Sequence, residues 1–266
     1  MKIDFLTIVL DGSPWIQRHH AEFEKLNLDW NWRVVEGVAA SANCTVWCSH
    51  QAPRLSNDGT TEYLDALAAY DHRVVLYRKE FWNGKVAMVN EPFRTLYEPT
   101  LLIEMDADEL WTAEQIKTLH DMFIAQPSKN CAWFYCDYRV GHGLRIKHST
   151  EGYGNNTQYE WKRAWIWQPG MRFKTHEPPV MEPFTDNAFT HDETFEKGLV
   201  FRHEAYSTEK QVAFKQKYYG SQRNENGKLY ADAVNLWRTM QREAKTGDAL
   251  KQWMPWVNGE PVLERV

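Results

Sequence analysis

Four short apolar runs, separated by stretches of helical periodicity, constrain this chain more than any other feature. Phe5–Leu10, Trp32–Val35, Arg73–Tyr77 and Leu101–Met105 each read as a strand. Continuous apolar strands spaced by helices indicate a mostly parallel sheet covered on both faces, so the fold class is α/β. The first run stops at Asp11–Gly12–Ser13–Pro14, where Ser13 is placed to cap a helix and Pro14 to take its first position. That helix is expected to continue through Leu26. Further helical stretches cover Thr61–Tyr70 and Val86–Leu96.

Downstream, Thr112 and Gln115 have the spacing of a capping box. Ile116, Leu119, Met122 and Phe123 then mark one helical face, and Pro127 ends it. Ala132–Tyr138 reads as one strand, with strand fragments at Trp161–Trp167 and Met171–Phe173 in an irregular, loop-rich stretch. Leu199–His203 is a last strand. Thr208 with Gln211 caps a helix through Tyr219, and Asp232–Ala244 reads as a C-terminal helix. No repeat or clean linker divides the chain. A single domain over 1–266 is expected, with a shift near residue 110 from regular strand–helix units (1–110) to aromatic loops and C-terminal helices (111–266).

With 43% hydrophobic and 25% charged residues, the 266-residue chain has the composition of an ordinary globular protein. A net charge of -5 argues against a nucleic-acid backbone as the main partner. No window approaches the ~18 consecutive apolar residues of a membrane span. Asp4 stands where a signal peptide would be basic, so a cytoplasmic location is expected. Cys44/Cys48 and Cys131/Cys136 sit in strand-like apolar surroundings and read as buried free thiols rather than zinc ligands. The 13 Trp and 12 Tyr suit either a packed core or the flat walls of a carbohydrate groove. Trp82, Trp161, Trp165 and Trp167 are the candidate sugar platforms, although Trp165 and Trp167 share a strand face and equally suit a core.

Three carboxylates, Asp106, Asp108 and Glu109, directly follow the fourth apolar run. In an open α/β sheet, ligands bind beyond the carboxyl ends of the strands. Alternation along an extended chain turns Asp106 and Asp108 to one side, where two like charges need a positive partner. A hard divalent cation with oxygen ligands is the simple answer, and such an ion also neutralises a departing diphosphate. The same pattern alone would also fit a polar strand end leading into an acidic helix start.

The ordered set Ile8–Val9–Leu10–Asp11–Gly12, Val34–Val35–Glu36–Gly37, Gly84–Lys85–Val86–Ala87–Met88–Val89–Asn90, Asp106–Ala107–Asp108–Glu109 and Phe201–Arg202–His203 resembles the GT-A fold glycosyltransferases, particularly the family-2-like group of bacterial and viral enzymes. The resemblance implies a Rossmann-like sheet with an irregular acceptor-binding half. It also implies a nucleotide-diphosphate sugar donor, a UDP-sugar such as UDP-glucose, and a Mn2+ or Mg2+ ion. Carried over by position, Leu10, Asp11 and Gly12 form the loop at the nucleoside, and Glu36 stands where an acid reads the base. Lys85 and Asn90 lie near the nucleotide, with Lys85 facing phosphate. Asp106 and Ala107 fall at the sugar nucleotide, Asp106 is shared between ribose and metal, Asp108 is the direct metal ligand, and His203 completes the metal or diphosphate site. The usual acid at the second strand is Asp, and here it is Glu36, which leaves the base open.

Inverting transfer to an acceptor hydroxyl, on a glycan or another molecule, needs a general base. Glu177, in Thr175–His176–Glu177–Pro178–Pro179, is the first candidate and Asp137 the second; without either, a retaining route remains open. A sugar-phosphate nucleotidyltransferase also pairs acids with a metal on such a sheet. Its first loop is usually rich in Gly and Lys, whereas Asp11–Gly12–Ser13–Pro14 has no Lys or Arg. A non-catalytic carbohydrate-binding protein would explain the aromatics but not the acid cluster.

Overall fold

Residues of both parities along the first strand are apolar, and the fold covers both of its faces. The computed structural model describes residues 1–39, 53–141, 143–146, 162–176, 179–220, 232–243 and 263–265. β1 (Ile3–Val9) is followed by α1 (Ile16–Phe23), β2 (Trp30–Ala39), α2 (Thr60–Tyr70) and β3 (Val74–Trp82). Ile3, Phe5 and Val9 join one core with Ile16 and Phe23 of α1 and Leu64 of α2, while Leu6 joins a second core with Val35, Met88 and Trp165. Leaving β3, the chain forms α3 (Lys85–Asn90), a 3-10 turn and β4 (Thr100–Glu104). β5 (Glu109–Leu110) and α4 (Ala113–Ala125) follow.

The second half supplies β6 (Cys131–Trp133), β7 (Cys136–Gly141), β8 (Leu144–Ile146), β9 (Lys162–Trp167), β10 (Arg172–His176), β11 (Pro179–Glu182) and β12 (Ala188–Phe189). It ends with α5 (His191–Glu196), β13 (Phe201–His203), α6 (Glu209–Gly220), α7 (Ala233–Glu243) and β14 (Leu263–Arg265). The central sheet has seven strands in the order β12-β6-β9-β4-β1-β2-β3. β9 runs antiparallel to both its neighbours, and the other pairings are parallel. The chain is thus mixed α/β with a mostly parallel central sheet flanked by helices. That sheet takes strands from both sides of residue 110. A five-stranded sheet, β14-β8-β7-β13-β5, and the β10–β11 hairpin complete the architecture.

Several local expectations hold. Thr112 and Gln115 form the capping box of α4 in both directions, with hydrogen bonds of 3.2 and 3.0 Å. Thr208 and Gln211 do the same ahead of α6. Others need correction. Ser13 does not cap α1: the helix starts after Trp15 without a side-chain cap, and it stops at Phe23. The Ser13 amide instead donates to Asp58 Oδ2 at 2.9 Å, tying the first loop to the start of α2. Ala132–Tyr138 is not one strand, because the chain leaves the central sheet after Trp133 and enters the five-stranded sheet at Cys136. Phe134, buried between them, anchors the crossing. No described helix is long and apolar enough to cross a membrane.

Candidate active site

The strand order reverses beside β1: β2 and β3 lie on one side, and β4 on the other. In an open α/β sheet such a reversal leaves a crevice beyond the carboxyl ends, because the two crossing connections turn away from each other. The register pairs Leu6 with Glu104, and Met105 continues the ladder by donating to Leu6 O at 2.9 Å. Residues 106–108 therefore emerge next to the loop that leaves β1. A Cβ on Gly12 would meet Val9 Cγ2 at 2.6 Å and Ala107 Cβ at 3.2 Å, so only glycine lets the two loops close together. From α1, His19 Nε2 donates to Ala107 O at 3.0 Å, and burial holds the imidazole below its ordinary pKa. Leu10, Asp11 and Gly12 thus lie on one of two neighbouring loops at this reversal, and Asp106, Ala107 and Asp108 on the other.

The acid cluster differs from an extended strand. Glu109 N donates to Asp106 O at 2.9 Å, closing a turn, and Glu109 begins a strand of the other sheet opposite His203. The expectation that Asp106 and Asp108 face one way fails because the chain turns between them. Each carboxylate meets its own cation. Asp106 Oδ2 accepts from Arg163 Nη2 at 3.2 Å, and the same guanidinium holds buried Glu109 at 2.7–3.0 Å. Burial opposes the Arg163 charge, but Glu109, Asp106 and Glu104 around it outweigh that and hold its pKa well above the usual value. Beneath them, His176 Nε2 lies 2.8 Å from Glu104 Oε1.

Asp108 turns the other way. Its Oδ1 lies 3.4 Å from His203 Nε2 and its Oδ2 lies 3.4 Å from Lys215 Nζ. Burial alone would raise its pKa, but Lys215 and His203 outweigh it and hold the carboxyl well below the usual range. The β13 end docks on the same turn, where Glu204 N donates to Asp108 O at 2.8 Å. Asp106, Asp108 and His203 do not converge as a ligand set for Mn2+ or Mg2+. Among the described residues, the one group of three whose ligand atoms lie within 4.8 Å of one another is His20, Glu24 and Asp71. Arg73 already bonds Asp71 and Glu24 there, so that group reads as an ion-pair cluster. The residues at the acid turn, as they stand, do not fit a shared ion, because Arg163 and Lys215 already supply the positive charge.

The remaining expected residues have surroundings of their own. Asp11, at φ 55, accepts from Arg54 Nη1 at 3.0 Å and from Asn57 N at 2.9 Å. Glu36 is 1% exposed, and its oxygens take Arg78 Nε at 2.5 Å, Thr61 Oγ1 at 2.5 Å and Ser56 N at 3.3 Å. Both acids hold the segment 54–61 against the carboxyl ends of β1 and β2. Lys85 opens α3 after Gly84, whose φ of 83 suits glycine. Asn90 clamps α3 to β10: its amide donates to Phe173 O at 2.9 Å and accepts from Phe173 N at 2.8 Å. Asp137 is flanked by Arg139 at 2.8 Å and Arg145 at 3.3 Å. Glu177, Trp161, Cys44 and Cys48 lie outside the described residues.

Three of the aromatic platforms are corrected outright. Trp82, Trp165 and Trp167 are all buried, the last two in the core against Phe173 and Phe93. Cys131 and Cys136 are buried free thiols, as expected, and burial pushes Cys131 up to about 12. The residues not anticipated from sequence are Arg54, Arg78, Glu104, Arg163 and Lys215. Arg163 had a signal: it shares the parity of Trp165 and Trp167 along β9, so a core-facing pair of tryptophans implies a core-facing arginine.

No protein-family model matches the chain, and no curated protein matches it significantly in sequence. Among solved structures, the chain is similar to S. aureus TarS. The TarS 1-349 structure aligns with a TM-score of 0.43 at 11% identity, covering 96% of this chain and 79% of that one. The complex of the same fragment with UDP-GlcNAc gives 0.43 at 10% identity, with the same coverage. For the complex with UDP, the TM-score is 0.36 at 12% identity over 53% of this chain, which spans only 36% of that one.

Proposed function

We propose that the chain is a sugar-nucleotide-dependent glycosyltransferase with a GT-A-like arrangement, moving a hexosyl group from a nucleoside-diphosphate sugar to an acceptor hydroxyl. The observation that carries this reading is the position of the acid turn. Asp106–Ala107–Asp108 lies at the strand-order reversal, packed against the Gly12 loop, where open α/β sheets bind nucleotides. In this reading Leu10, Asp11, Gly12 and Glu36 form the nucleoside side, with a UDP-sugar such as UDP-glucose as the donor. Lys85 and Asn90 border it, and Asp106 and Ala107 meet the sugar nucleotide. Asp108 and His203 would be the ligands of a Mn2+ or Mg2+ ion neutralising the diphosphate, which requires Lys215 to leave Asp108 first.

On the acceptor side the reaction is inverting. The acceptor oxygen attacks the anomeric carbon as its bond to the diphosphate breaks, and a carboxylate takes the hydroxyl proton. Glu177 is favoured as that base over Asp137, which Arg139 and Arg145 already flank. The test is a panel of sugar nucleotides, UDP-glucose and UDP-GlcNAc among them, assayed for hydrolysis and transfer. Pyrophosphate release from a nucleoside triphosphate plus a sugar phosphate is measured alongside. Release of nucleoside diphosphate from one of the sugar nucleotides is the expected result, and pyrophosphate release alone would make the chain a nucleotidyltransferase.

A further inference from the structure

Lys215 stands where the acid turn was expected to take a metal ion. It is on α6, one helical turn after Gln211, so the two side chains share a face. Both reach back to the end of β13: Gln211 Nε2 donates to Glu204 O at 2.8 Å, and Lys215 Nζ donates to Ala205 O at 2.7 Å. The ammonium also lies 4.5 Å from the centre of the Tyr206 ring and 3.4 Å from Asp108 Oδ2. A carbonyl, an aromatic face and a carboxylate thus fix one cation in one place, on a side chain that is 20% exposed. His203 Nε2 meets the opposite oxygen of Asp108, so each oxygen of that carboxylate has a partner.

We propose that Lys215 is a built-in competitor for divalent cations at Asp108, and that an ion enters this site only as the ammonium leaves it. An ion bonded to Asp108 at about 2.0–2.2 Å would sit within a few ångströms of the Lys215 ammonium. Two cations that close, in a partly buried place where water screens poorly, repel strongly. Arg163 likewise engages Asp106, bonding its Oδ2 at 3.2 Å. The chain free of nucleotide therefore holds divalent ions weakly. This inference concerns the same site as the transferase reading but does not require the transfer reaction.

The experiment is Mn2+ binding to the full chain without nucleotide, followed by the electron paramagnetic resonance signal of free Mn2+. Wild type, Lys215→Met, Lys215→Arg and Lys215→Met/Asp108→Asn are compared, each first shown to be folded by circular dichroism. Lys215→Met is expected to bind Mn2+ at least tenfold more tightly than wild type, Lys215→Arg to bind as weakly as wild type, and the double variant to lose the gain. Equal or weaker binding by Lys215→Met, or a gain that survives Asp108→Asn, would overturn the proposal. A parallel titration with nucleoside diphosphates separates it from the function. Tighter Mn2+ binding by Lys215→Met with no nucleotide binding keeps the competitor and removes the transferase, and the converse pair of results does the reverse.

Discussion

Two acidic regions line the same end of the central sheet, and they find their counter-charges in different ways. Around β1 and β2, Asp11 and Glu36 pair with Arg54 and Arg78, which lie 43 and 42 residues away within the first three strand–helix units. At the acid turn, Asp106 and Asp108 pair with Arg163 and Lys215, 57 and 107 residues away. The first region is a self-contained unit whose arginines keep part of their surface in water. The second is assembled from three distant elements, β4, β9 and α6, and its arginine is buried. Removing one partner of a buried ion pair costs more than removing an exposed one, since it leaves uncompensated charge in a poorly hydrated place. The acid turn is therefore where elements from both sides of residue 110 are electrostatically fastened together.

The contrast predicts a ranking. Arg163→Met leaves Glu109, Asp106 and Glu104 without their shared cation, and a loss of ~3–5 kcal/mol in folding free energy is expected from urea unfolding. A loss below about 1 kcal/mol would mean that the acid turn is not fastened by its buried arginine. Arg78→Met strands the buried Glu36 carboxylate, yet Thr61 and Ser56 still donate to it and Arg78 is 23% exposed, so about 1–3 kcal/mol is expected. If Arg78→Met proved as damaging as Arg163→Met, the difference between the regions would disappear.

A smaller effect concerns pH. Lys215 and His203 hold Asp108 ionised in the folded chain to lower pH than in the unfolded chain, despite its burial. Its stabilising contribution is thus fully present at pH 5–8 and is lost as pH falls from the ordinary carboxylate value near 3.8 toward the depressed one. Asp108→Asn, measured beside wild type, should show a stability deficit of about 1–2 kcal/mol at pH 7 that narrows only below about pH 4. A deficit that shrinks as pH rises instead would reverse the assigned sign.

What the sequence disclosed follows the same division. The runs that became β1 to β4 and the Thr112–Gln115 box were legible because apolar periodicity and capping are local signals. The crossing at Phe134–Tyr135 was not, since no Gly or Pro interrupts an apolar run that serves two sheets. The acid turn could be placed at a strand end, but its direction could not, because alternation holds only while the chain stays extended. Arg163 was readable from its parity with Trp165 and Trp167, whereas nothing near Lys215 marks it as the partner of an acid 107 residues away. The acid pattern asked for a positive partner, and as the chain stands Arg163 and Lys215 supply it.

The central claim, that the crevice at Asp106–Ala107–Asp108 holds a nucleoside diphosphate, is tested most directly by calorimetric titration. UDP, ADP, GDP and CDP are titrated into wild type and Asp108→Asn, each with Mn2+ and with chelator. The account predicts that at least one nucleotide binds wild type and that Asp108→Asn weakens it tenfold or more while the protein stays folded. Binding unchanged by Asp108→Asn, or no binding of any of the four to wild type, would contradict it.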